Sequence, residues 1–465
     1  MTKQERTYFW FVVILIALSR VPFLFYGFGS EEDAWALPLV AERIAKTGVY
    51  EVSRLPGHPF QELVYTLIWN SSSIVYNFIT LFISTIGIAC FILMLKKFNI
   101  KNWLWAGIGV AITPIIYINS TNDMDYMWAM GFILIAFYFA VHNRNVFAGL
   151  FLACAIGCRI TSGAMVIPLC LLVWHCAEKE LRIKNIARII FCTSLFTLII
   201  FIPVFRIYGL SFFTYYDHFP IPGFAKIFYK GVIAVWGFIG VLALLISILF
   251  VVYKRKIYCE AILNTKNRSK EILTISMLTI FLYGLSFMRC PLKAAFVIPL
   301  IPFVWMAFTL LISDRSFKGL VVLMVISTFT FGINLSDPLR GSKESNFSIR
   351  KNIAGQKVAI DPFVGLLMAD ITKRQQRTMY ATNVLSKISS IKKHTLIIVG
   401  WWNADLLVLQ RGHENHFVKF AYYIDEPDLL KFQNASYEIF FLPEQDTFND
   451  LRYQKVFTKR FAKLF

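Results

Sequence analysis

Apolar residues run in blocks of about 20 along the first 335 residues of the chain. A helix of that length crosses the ~30 Å hydrocarbon core of a bilayer, so each block predicts a membrane span. The first covers residues 8–26, and no small-residue cleavage site follows it, which predicts an uncleaved span rather than a signal peptide. Ten more spans are predicted over residues 71–95, 103–119, 125–141, 146–157, 161–177, 186–206, 231–253, 271–288, 291–312 and 318–335.

A polar segment, residues 27–62, separates the first two predicted spans. Within residues 33–46 the apolar side chains recur at helical spacing. They are Leu37, Val40, Ala41 and Ile44. An amphipathic helix of this kind lies along the membrane surface with its apolar face buried. We therefore predict one interfacial helix in the first outer loop.

The pattern changes at about residue 336 to that of a soluble domain. Residues 395–402, 418–424 and 437–443 are predicted as buried strands, with a helix over 426–432. Strands that alternate with helices predict a small α/β domain with a parallel sheet. The predicted fold is thus an all-α polytopic membrane domain of about 11 transmembrane helices (1–335), followed by a small α/β soluble domain (336–465). Neither a G-x-G-x-x-G motif nor a P-loop occurs, so nothing predicts a nucleotide site.

The composition excludes an ordinary soluble enzyme. Hydrophobic residues make up 57% of the chain and charged residues 16%, against about 25% charged residues in a typical soluble domain. Mean hydropathy is +0.59. The net charge of +19 is explained by basic cytoplasmic loops rather than by a nucleic-acid partner. Eight cysteines occur, and their spacing fits neither a disulfide framework nor a zinc site.

The charges also predict the orientation. With the N-terminus in the cytoplasm, Lys and Arg collect in the cytoplasmic loops and most acids in the opposite ones, as the positive-inside rule requires. The outer acids are Glu31, Glu32, Asp33, Asp123, Asp125 and Asp217. Eleven spans then place the C-terminal domain outside, in a periplasm or an equivalent lumen.

Two groups of acids are predicted at the same outer surface. Glu31, Glu32 and Asp33 stand at the start of the interfacial helix, and Asp123 and Asp125 stand at the start of the fourth span. Acids in a first helical turn also stabilise the helix by ~0.3–1 kcal/mol, so helix capping is the alternative explanation. As chemistry, one carboxylate would abstract a proton and another would bind or orient the substrate.

Five cations are predicted near the outer ends of spans, against the topological trend. They are Arg20, Arg159, Arg206, Arg289 and Lys293. Charges that border the membrane are functional candidates because they are costly there, although snorkelling to the interface is the alternative. Arginine matches phosphate as a planar fork and lysine as a point charge. Together they predict an anionic group at the outer membrane surface, and a lipid phosphate fits that depth.

A turn in the first outer loop adds two more candidates. Residues 54–59 read Arg-Leu-Pro-Gly-His-Pro, in which proline and glycine fix the backbone. Arg54 and His58 are thereby held in defined directions and are candidates for substrate binding. For His58, capping of the turn is the alternative.

Residues 33–54 resemble the first outer loop of the glycosyltransferase C superfamily, closest in style to bacterial aminoarabinose transferases and protein O-mannosyltransferases. That loop begins with an acidic pair, runs through an interfacial helix to a glycine, and continues to an arginine and a Gly/Pro-bearing turn. Asp33, Ala41, Gly48 and Arg54 fall at the matching places without gaps.

Other stretches resemble the same superfamily more loosely. Asp125 resembles its second acidic position, residues 148–161 its AGL…R-x-T stretch, and residues 291–302 the outer-loop motif that leads into a proline-bearing span. The resemblance implies transfer of a sugar, with inversion, from a polyprenyl-phosphate donor to a lipid, glycan or protein acceptor. It also favours a bacterial inner membrane, with the C-terminal domain in the periplasm.

The resemblance further implies roles for individual residues. Asp33 would be the catalytic base or the acid that orients the acceptor, with Asp125 as the second acid. Arg289 and Lys293 would hold the donor phosphate, with Arg159 as a further candidate. No nucleotide or redox cofactor is implied. A divalent metal, which some members of the superfamily use, is the less favoured alternative to metal-free catalysis.

The sequence departs from the family pattern beside the key aspartate. An acid usually follows it, whereas Ala34 stands here and Glu31 and Glu32 precede Asp33. The catalytic acid could therefore have moved upstream, and Glu32 is a second catalytic candidate. Leu37 also replaces an aromatic residue that is usual in the helix.

Three other functions would use a similar sequence. A transporter or flippase of a lipid-linked sugar also needs outer cations and many spans, but it typically has broken midplane helices and internal repeats, neither of which the sequence indicates. A ligase or polymerase of lipid-linked glycans would differ only in its donor. A non-catalytic glycan-binding protein would retain the architecture. Apart from donor and acceptor, the only expected partners are membrane lipids.

Overall fold

A computed structural model describes residues 1–210, 221–254, 269–335, 347–353, 356–442 and 462–464. Asp217 and Cys259, noted in the sequence, lie outside these residues. Helices dominate the described chain, and strands occur from residue 332 onward.

The helices begin and end at the following residues. They are α1 (Lys3–Leu18), α2 (Glu32–Thr47), α3 (Pro59–Thr66), α4 (Ser73–Lys97), α5 (Trp103–Ile112), α6 (Pro114–Asn119), α7 (Asp125–Val141), α8 (Asn145–Cys158), α9 (Val166–Cys176), α10 (Arg182–Tyr208), α11 (Phe224–Phe228), α12 (Ala234–Tyr253), α13 (Ser269–Arg289), α14 (Ile301–Leu311), α15 (Asp314–Phe329), α16 (Leu366–Ile388), α17 (Asn403–Leu409) and α18 (Glu426–Asn434). Short turns of 3₁₀ or π helix extend or connect several of them, at Val21–Phe25, Ile160–Met165, Lys179–Leu181, Tyr229–Ile233, Ala294–Leu300 and Gly400–Trp402.

Six helical segments are long and apolar enough to cross a membrane. They are Lys3–Phe25, Ser73–Lys97, Lys179–Tyr208, Phe224–Tyr253, Ser269–Arg289 and Ala294–Leu311. Four further apolar helices are shorter, at 10–17 residues. The prediction of a helical membrane domain is therefore confirmed, whereas the count of about 11 spans stays a prediction. One cause of shortening lies at Pro114, which has no N–H to donate and divides the predicted span 103–119 into α5 and α6.

Helix α7 forms the centre of the membrane domain. It is apolar all round and almost every one of its residues is buried, as expected of a helix surrounded by others. It packs against α4 and α8. A Cβ on Gly87 of α4 would lie 2.6 Å from Cα of Gly131 of α7, so the two backbones approach closely because both residues are glycine. This packing fixes the position of Asp125 at the outer start of α7.

A helix is present where the interfacial helix was predicted, with bounds shifted by one residue at each end, and its position at the membrane surface stays a prediction. The four predicted apolar residues all lie on the buried face of α2. The helix ends at Gly48, whose φ of +70° is the left-handed conformation that favours glycine at a helix C-terminus. A second short helix of the same loop, α3, was not predicted; Pro59 begins it, because proline is pre-organised for the first helical position.

The C-terminal part contains two small sheets. Strands β1 (Gly332–Leu335), β2 (Ile349–Ile353) and β3 (Gln356–Asp361) form an antiparallel sheet in the order β1-β3-β2. Strands β4 (Thr395–Ile398), β5 (Val418–Ala421), β6 (Glu438–Phe441) and β7 (Ala462–Lys463) form a parallel sheet in the order β5-β4-β6-β7. The parallel sheet was predicted, and the antiparallel one was not. The domain boundary at 335/336 stays a prediction, since β1 begins at Gly332 and already pairs with β3.

The C-terminal part is docked directly on the interfacial helix. Ala404 and Val408 of α17 belong to the same apolar core as the membrane helices, and α17 packs on α2. Arg411 pairs with Glu42 of α2 at 2.7 Å and donates to the Pro38 carbonyl at 2.9 Å. Arg374 of α16 donates to the Thr121 carbonyl at 2.6 Å. These contacts hold the C-terminal part against the loops that carry the candidate acids.

Candidate functional site

Two loops, before α2 and before α7, bring the predicted acids together. The backbone N–H of Asp123 donates to the Phe28 carbonyl at 2.9 Å, which ties the loop before α7 to the loop before α2. Trp35 Nε1 donates to the Gly29 carbonyl at 3.1 Å and fixes the entry into α2. Asp33 and Asp125 therefore both stand in the first turn of a helix, where carboxylates are stabilised by the helix dipole.

Five of the eight predicted site residues form one network, which we call the charge cluster: Asp33, Arg54, Asp125, Arg159 and Lys293. Arg54 bridges the two acids, with one Nη on Asp33 and the other on Asp125 Oδ1 at 2.6 Å. Arg159 Nη1 lies 3.0 Å from Asp125 Oδ2. Lys293 Nζ donates to Asp33 and, at 2.5 Å, to Glu31. Carboxylates and cations thus lie in contact at one place in the structure, and the predicted location of this place at the outer membrane surface stays a prediction.

His58 lies behind Arg54 and is buried. Its Nδ1 is 2.6 Å from the Cys158 carbonyl, which can only accept, so Nδ1 carries the proton. Nε2 then accepts from Arg54 Nε at 3.0 Å. Burial lowers the pKa of His58, which keeps the neutral form that this geometry requires. In this structure His58 orients the Arg54 guanidinium, and its predicted role in substrate binding stays a prediction.

Glu62 is a buried acid of the same loop to which the sequence analysis gave no role. Its carboxylate accepts from the backbone N–H and Oγ of Ser53, both at 2.7 Å, and from the His58 N–H at 3.1 Å. It also accepts from the Tyr50 hydroxyl. Glu62 thereby fixes the backbone on either side of Arg54. The sequence signal that could have revealed Glu62 is Pro59. Proline often begins a helix, so the acid three residues after Pro59 is expected in the first helical turn.

Aromatic rings enclose the cations of the charge cluster. The Arg159 guanidinium lies between Tyr126, 4.9 Å from the ring centroid, and Phe296 at 4.2 Å. Arg54 lies 5.8 Å from the same Tyr126 ring. Ring faces attract cations in this range. Tyr126 was missed by the sequence analysis, although it directly follows Asp125.

The two catalytic candidates on α2 are in opposite protonation states. Burial opposes ionisation of Asp33, but Arg54 and Lys293 hold the pKa of Asp33 well below its usual range. For Glu32, burial and then the neighbouring Asp33 charge raise the pKa to about 8. At pH 7 Asp33 is therefore a carboxylate and Glu32 a neutral acid. Asp33 is the candidate base of the two.

The remaining predicted cations lie in other environments. Arg20 is buried and donates to Ser120 Oγ and to the Ile16 carbonyl, both at 2.8 Å, with Tyr117 stacked 4.1 Å away. It stabilises the packing of α1. Arg206 and Arg289 are exposed, at or near the ends of α10 and α13. Arg289 lies four residues before Lys293, and its role in donor binding stays a prediction.

A cleft of about 160 Å³, partly open to solvent, adjoins the charge cluster. Glu31 and Lys293 line it at the cluster end, together with Tyr126. Asn334 and Lys373 line it from the C-terminal part. The cleft therefore gives a small ligand or part of a larger one access to the Lys293 ammonium that contacts Asp33.

Two of the predicted acids are paired with cations, and whether the site binds a divalent metal stays a prediction. Among the described residues, no group of three or more His, Cys, Asp or Glu side chains is arranged to hold one. Asp33 and Asp125 are each paired with two fixed cations, which would repel a metal ion at the same oxygens. The described cysteines are all free thiols.

Comparison with protein families, curated proteins and solved structures finds no significant match for this chain. Its function must therefore be inferred from the residues and the geometry described above.

Proposed function

We propose that this chain is an integral-membrane glycosyltransferase that moves a sugar from a polyprenyl-phosphate donor to an acceptor hydroxyl at the outer membrane surface. The observation that carries the proposal is the position of Asp33, whose carboxylate contacts both Arg54 and Lys293 beside an open cleft. A proton acceptor and phosphate-binding cations thus stand within one hydrogen bond of each other. A bacterial inner membrane, with the site on the periplasmic face, is part of the same proposal.

The chemistry needs both kinds of group. The acceptor oxygen attacks the anomeric carbon as the bond from that carbon to the phosphate oxygen breaks, which inverts the configuration. The lipid phosphate departs with its added negative charge, and fixed cations aimed at that charge stabilise the transition state. Asp33 takes the proton from the attacking hydroxyl. In this scheme Lys293 and Arg54 face the phosphate, and Arg159 holds Asp125 and thereby the orientation of Arg54.

The pairing of Asp33 suggests an order of events. While Lys293 and Arg54 hold it, Asp33 is a weak base because its pKa lies well below the usual range. A donor phosphate competes for the same cations, since its oxygen atoms accept hydrogen bonds from both Arg and Lys. As Lys293 turns to the phosphate, Asp33 loses a partner and its pKa rises toward the range useful for proton abstraction. Donor binding would thereby activate the base.

Replacement of Asp33 by Asn tests the proposal. The amide has nearly the same shape but accepts no proton, so Asp33→Asn should lower sugar transfer by at least about 10³-fold. The assay follows radiolabelled sugar from a panel of polyprenyl-phosphate hexoses and pentoses into acceptors of membranes that lack this protein. Glu51→Gln, which removes an exposed acid paired with Arg43 in the same loop, is the matched control and should retain full activity. Melting temperatures of the purified variants verify folding.

The competing transporter function predicts a different result. A flippase would carry the lipid-linked sugar across proteoliposomes without forming a glycosidic product. Translocation without transfer by the wild-type chain would overturn the proposal, and so would an active, folded Asp33→Asn variant. Transfer only from pyrophosphate-linked glycans would assign the ligase or polymerase reaction instead and overturn the monophosphate donor.

A further inference from the structure

The antiparallel sheet begins close to where the last apolar helix of the membrane domain ends. β1 starts at Gly332, shortly after α15. Ser327 of α15 accepts from the Gly240 N–H of α12 at 2.9 Å, and α12 lies within the membrane-length segment Phe224–Tyr253. From Gly240 that helix runs a further ~20 Å, at about 1.5 Å per residue, to Tyr253, where basic residues follow. For a hydrocarbon core of ~30 Å, this distance predicts that β1 starts close to the opposite membrane boundary.

One face of this sheet is apolar. Ile349 and Ile353 of β2 lie on the same face, because side chains an even number of residues apart in a strand share a face, and both are exposed. The register pairs Ile349 with Ile360, and Ile360 with Ile333, so these residues lie on that face as well. The opposite face carries Asn334, which is buried and lines the cleft described above.

Two phenylalanines flank the sheet at the end of α15. Phe347 and Phe363 are 65% and 67% exposed, and their ring centroids lie 5.2 Å apart. The Asp361 carboxylate accepts from the Phe363 N–H at 2.9 Å and fixes this turn. Two residues later the Gly365 N–H donates to the Phe329 carbonyl of α15 at 3.2 Å. We call Phe347, Ile349, Ile353 and Phe363 the apolar patch; exposed patches of this kind mark a contact with a membrane or another protein.

The apolar patch borders a helix side that is itself exposed and apolar. Val322, Val325 and Ile326 of α15 are exposed. Since α15 packs on α12 with its other side, these residues are the ones that face lipid if the helix crosses the membrane. Ile326 lies one turn before the end of α15, which Gly365 contacts. The patch is therefore continuous with the lipid-facing side of the predicted last span.

The charges beside the patch favour a lipid surface over a second copy of the chain. Residues 347–360 contain three basic residues and no acid; the basic residues are Arg350, Lys351 and Lys357. Basic residues next to a membrane span are attracted to the phosphates of anionic lipids. Two copies that met at this sheet would instead bring like charges together.

We propose that the antiparallel sheet rests on the adjacent membrane leaflet. The apolar patch would lie at the boundary between headgroups and acyl chains, and the three basic residues would contact lipid phosphates. The sheet would thereby anchor the C-terminal part to the membrane and hold Asn334, on its other face, at the level of the membrane surface. This inference concerns a lipid contact and is independent of sugar transfer.

Photo-crosslinking of the full-length chain in lipid nanodiscs tests the inference. The photoreactive p-benzoylphenylalanine is placed at Phe347 or at Phe363, in nanodiscs of radiolabelled phosphatidylethanolamine and phosphatidylglycerol in equal amounts. Tyr423, an exposed aromatic residue next to β5 of the parallel sheet, is the matched control site. Both phenylalanine sites should crosslink at least about tenfold more lipid than the Tyr423 site. Melting temperatures of the labelled chains verify folding.

The basic residues are tested in the chain that carries the probe at Phe347. This chain should crosslink phosphatidylglycerol at least about threefold more than phosphatidylethanolamine, and joint replacement of Arg350, Lys351 and Lys357 by Gln should abolish the preference. A lipid yield at both phenylalanine sites no higher than at Tyr423 would overturn the inference. Crosslinks that join two copies of the chain in place of lipid would also overturn it and assign the patch to a dimer. A preference that survives the triple replacement would overturn the contact with lipid phosphates.

Discussion

The molecule contains two networks of Arg and carboxylate groups built from the same residue types. In the charge cluster, Arg54 joins Asp33 to Asp125. In the C-terminal part, Arg377 of α16 binds Asp405 of α17 through two bonds of 2.5 and 2.7 Å and donates to the Trp401 carbonyl at 2.9 Å. By chemistry alone, either could be called an active site.

Accessibility separates the two networks. The side chains of Arg377 and Asp405 are 7% and 0% exposed, and Trp402 covers the guanidinium at 4.7 Å. Asp33 and Lys293 are 28% and 27% exposed, and Lys293 lines a cleft. The buried pair of Arg377 and Asp405 connects α16 to α17. The charge cluster, in contrast, is accessible to another molecule. An ion pair between Arg and a carboxylate therefore does not by itself indicate function. An ion pair that is partly exposed beside a cleft does indicate function.

Asp405→Asn is expected to give the largest change in stability. It leaves the Arg377 guanidinium buried without its anion, and removal of one partner of a buried ion pair costs about 3–5 kcal/mol. Because α17 packs on α2, activity should fall together with folding. The measurement is thermal or denaturant unfolding of the purified protein, with Asp33→Asn as the comparison. A Tm shift for Asp33→Asn as large as that for Asp405→Asn would erase the distinction between the networks.

Lys293→Gln should give a smaller and purely functional loss. Without the ammonium, the departing phosphate loses one fixed cation, so kcat/KM for the donor should fall by about 10²-fold with little change in Tm. Lys101→Gln removes a lysine that pairs with Asp314 at the opposite end of the helices, and it should leave kcat/KM unchanged. Full activity of the Lys293→Gln variant would show that the charge cluster does not bind the donor phosphate.

Arg411→Ala is expected to lower both the stability of the protein and its activity. Arg411 connects the C-terminal part to α2 through Glu42 and the Pro38 carbonyl, and hydrogen bonds to charged groups contribute about 1.5–3 kcal/mol. We expect the free energy of unfolding to fall by that amount and kcat/KM for sugar transfer to fall severalfold, because the C-terminal wall of the cleft beside Lys293 is displaced. Arg43→Ala removes an exposed pair between α2 and Glu51, which follows the helix, and it should change neither quantity. An unchanged kcat/KM would contradict a functional role for the C-terminal wall.

The sequence anticipated the parts of this arrangement that local physics dictates. The spacing of apolar residues located α2 to within one residue, and the acids of its first turn followed from it. The Arg54 turn was recognised because proline and glycine restrict the backbone nearby. The predicted count of about 11 spans is not confirmed, since Pro114 and the short helices around it respond to packing against neighbours.

Long-range pairing was beyond what the pattern could show. The contact of Lys293 with Asp33 joins residues 260 positions apart, and nothing local distinguishes Lys293 from the exposed Arg289. The burial of His58 behind Arg54 likewise depends on the Cys158 carbonyl, 100 residues away. The lining of the cleft by Asn334 and Lys373 depends on how the C-terminal part docks, which no periodicity records.

Glu32→Gln is expected to have the smallest effect, and it tests the charge cluster at the residue next to Asp33. Glu32 has a pKa raised to about 8, so it is neutral at pH 7 and gains a negative charge as the pH rises through 8. That charge stands next to Asp33 and repels the donor phosphate; two like charges about 4 Å apart cost on the order of 1 kcal/mol in water. Donor KM of the wild type should therefore rise about fivefold between pH 7 and pH 9.5, while that of Glu32→Gln stays flat. If Glu32 were the base instead, the variant would lose transfer at every pH, and the roles assigned to the two neighbouring acids would have to be exchanged.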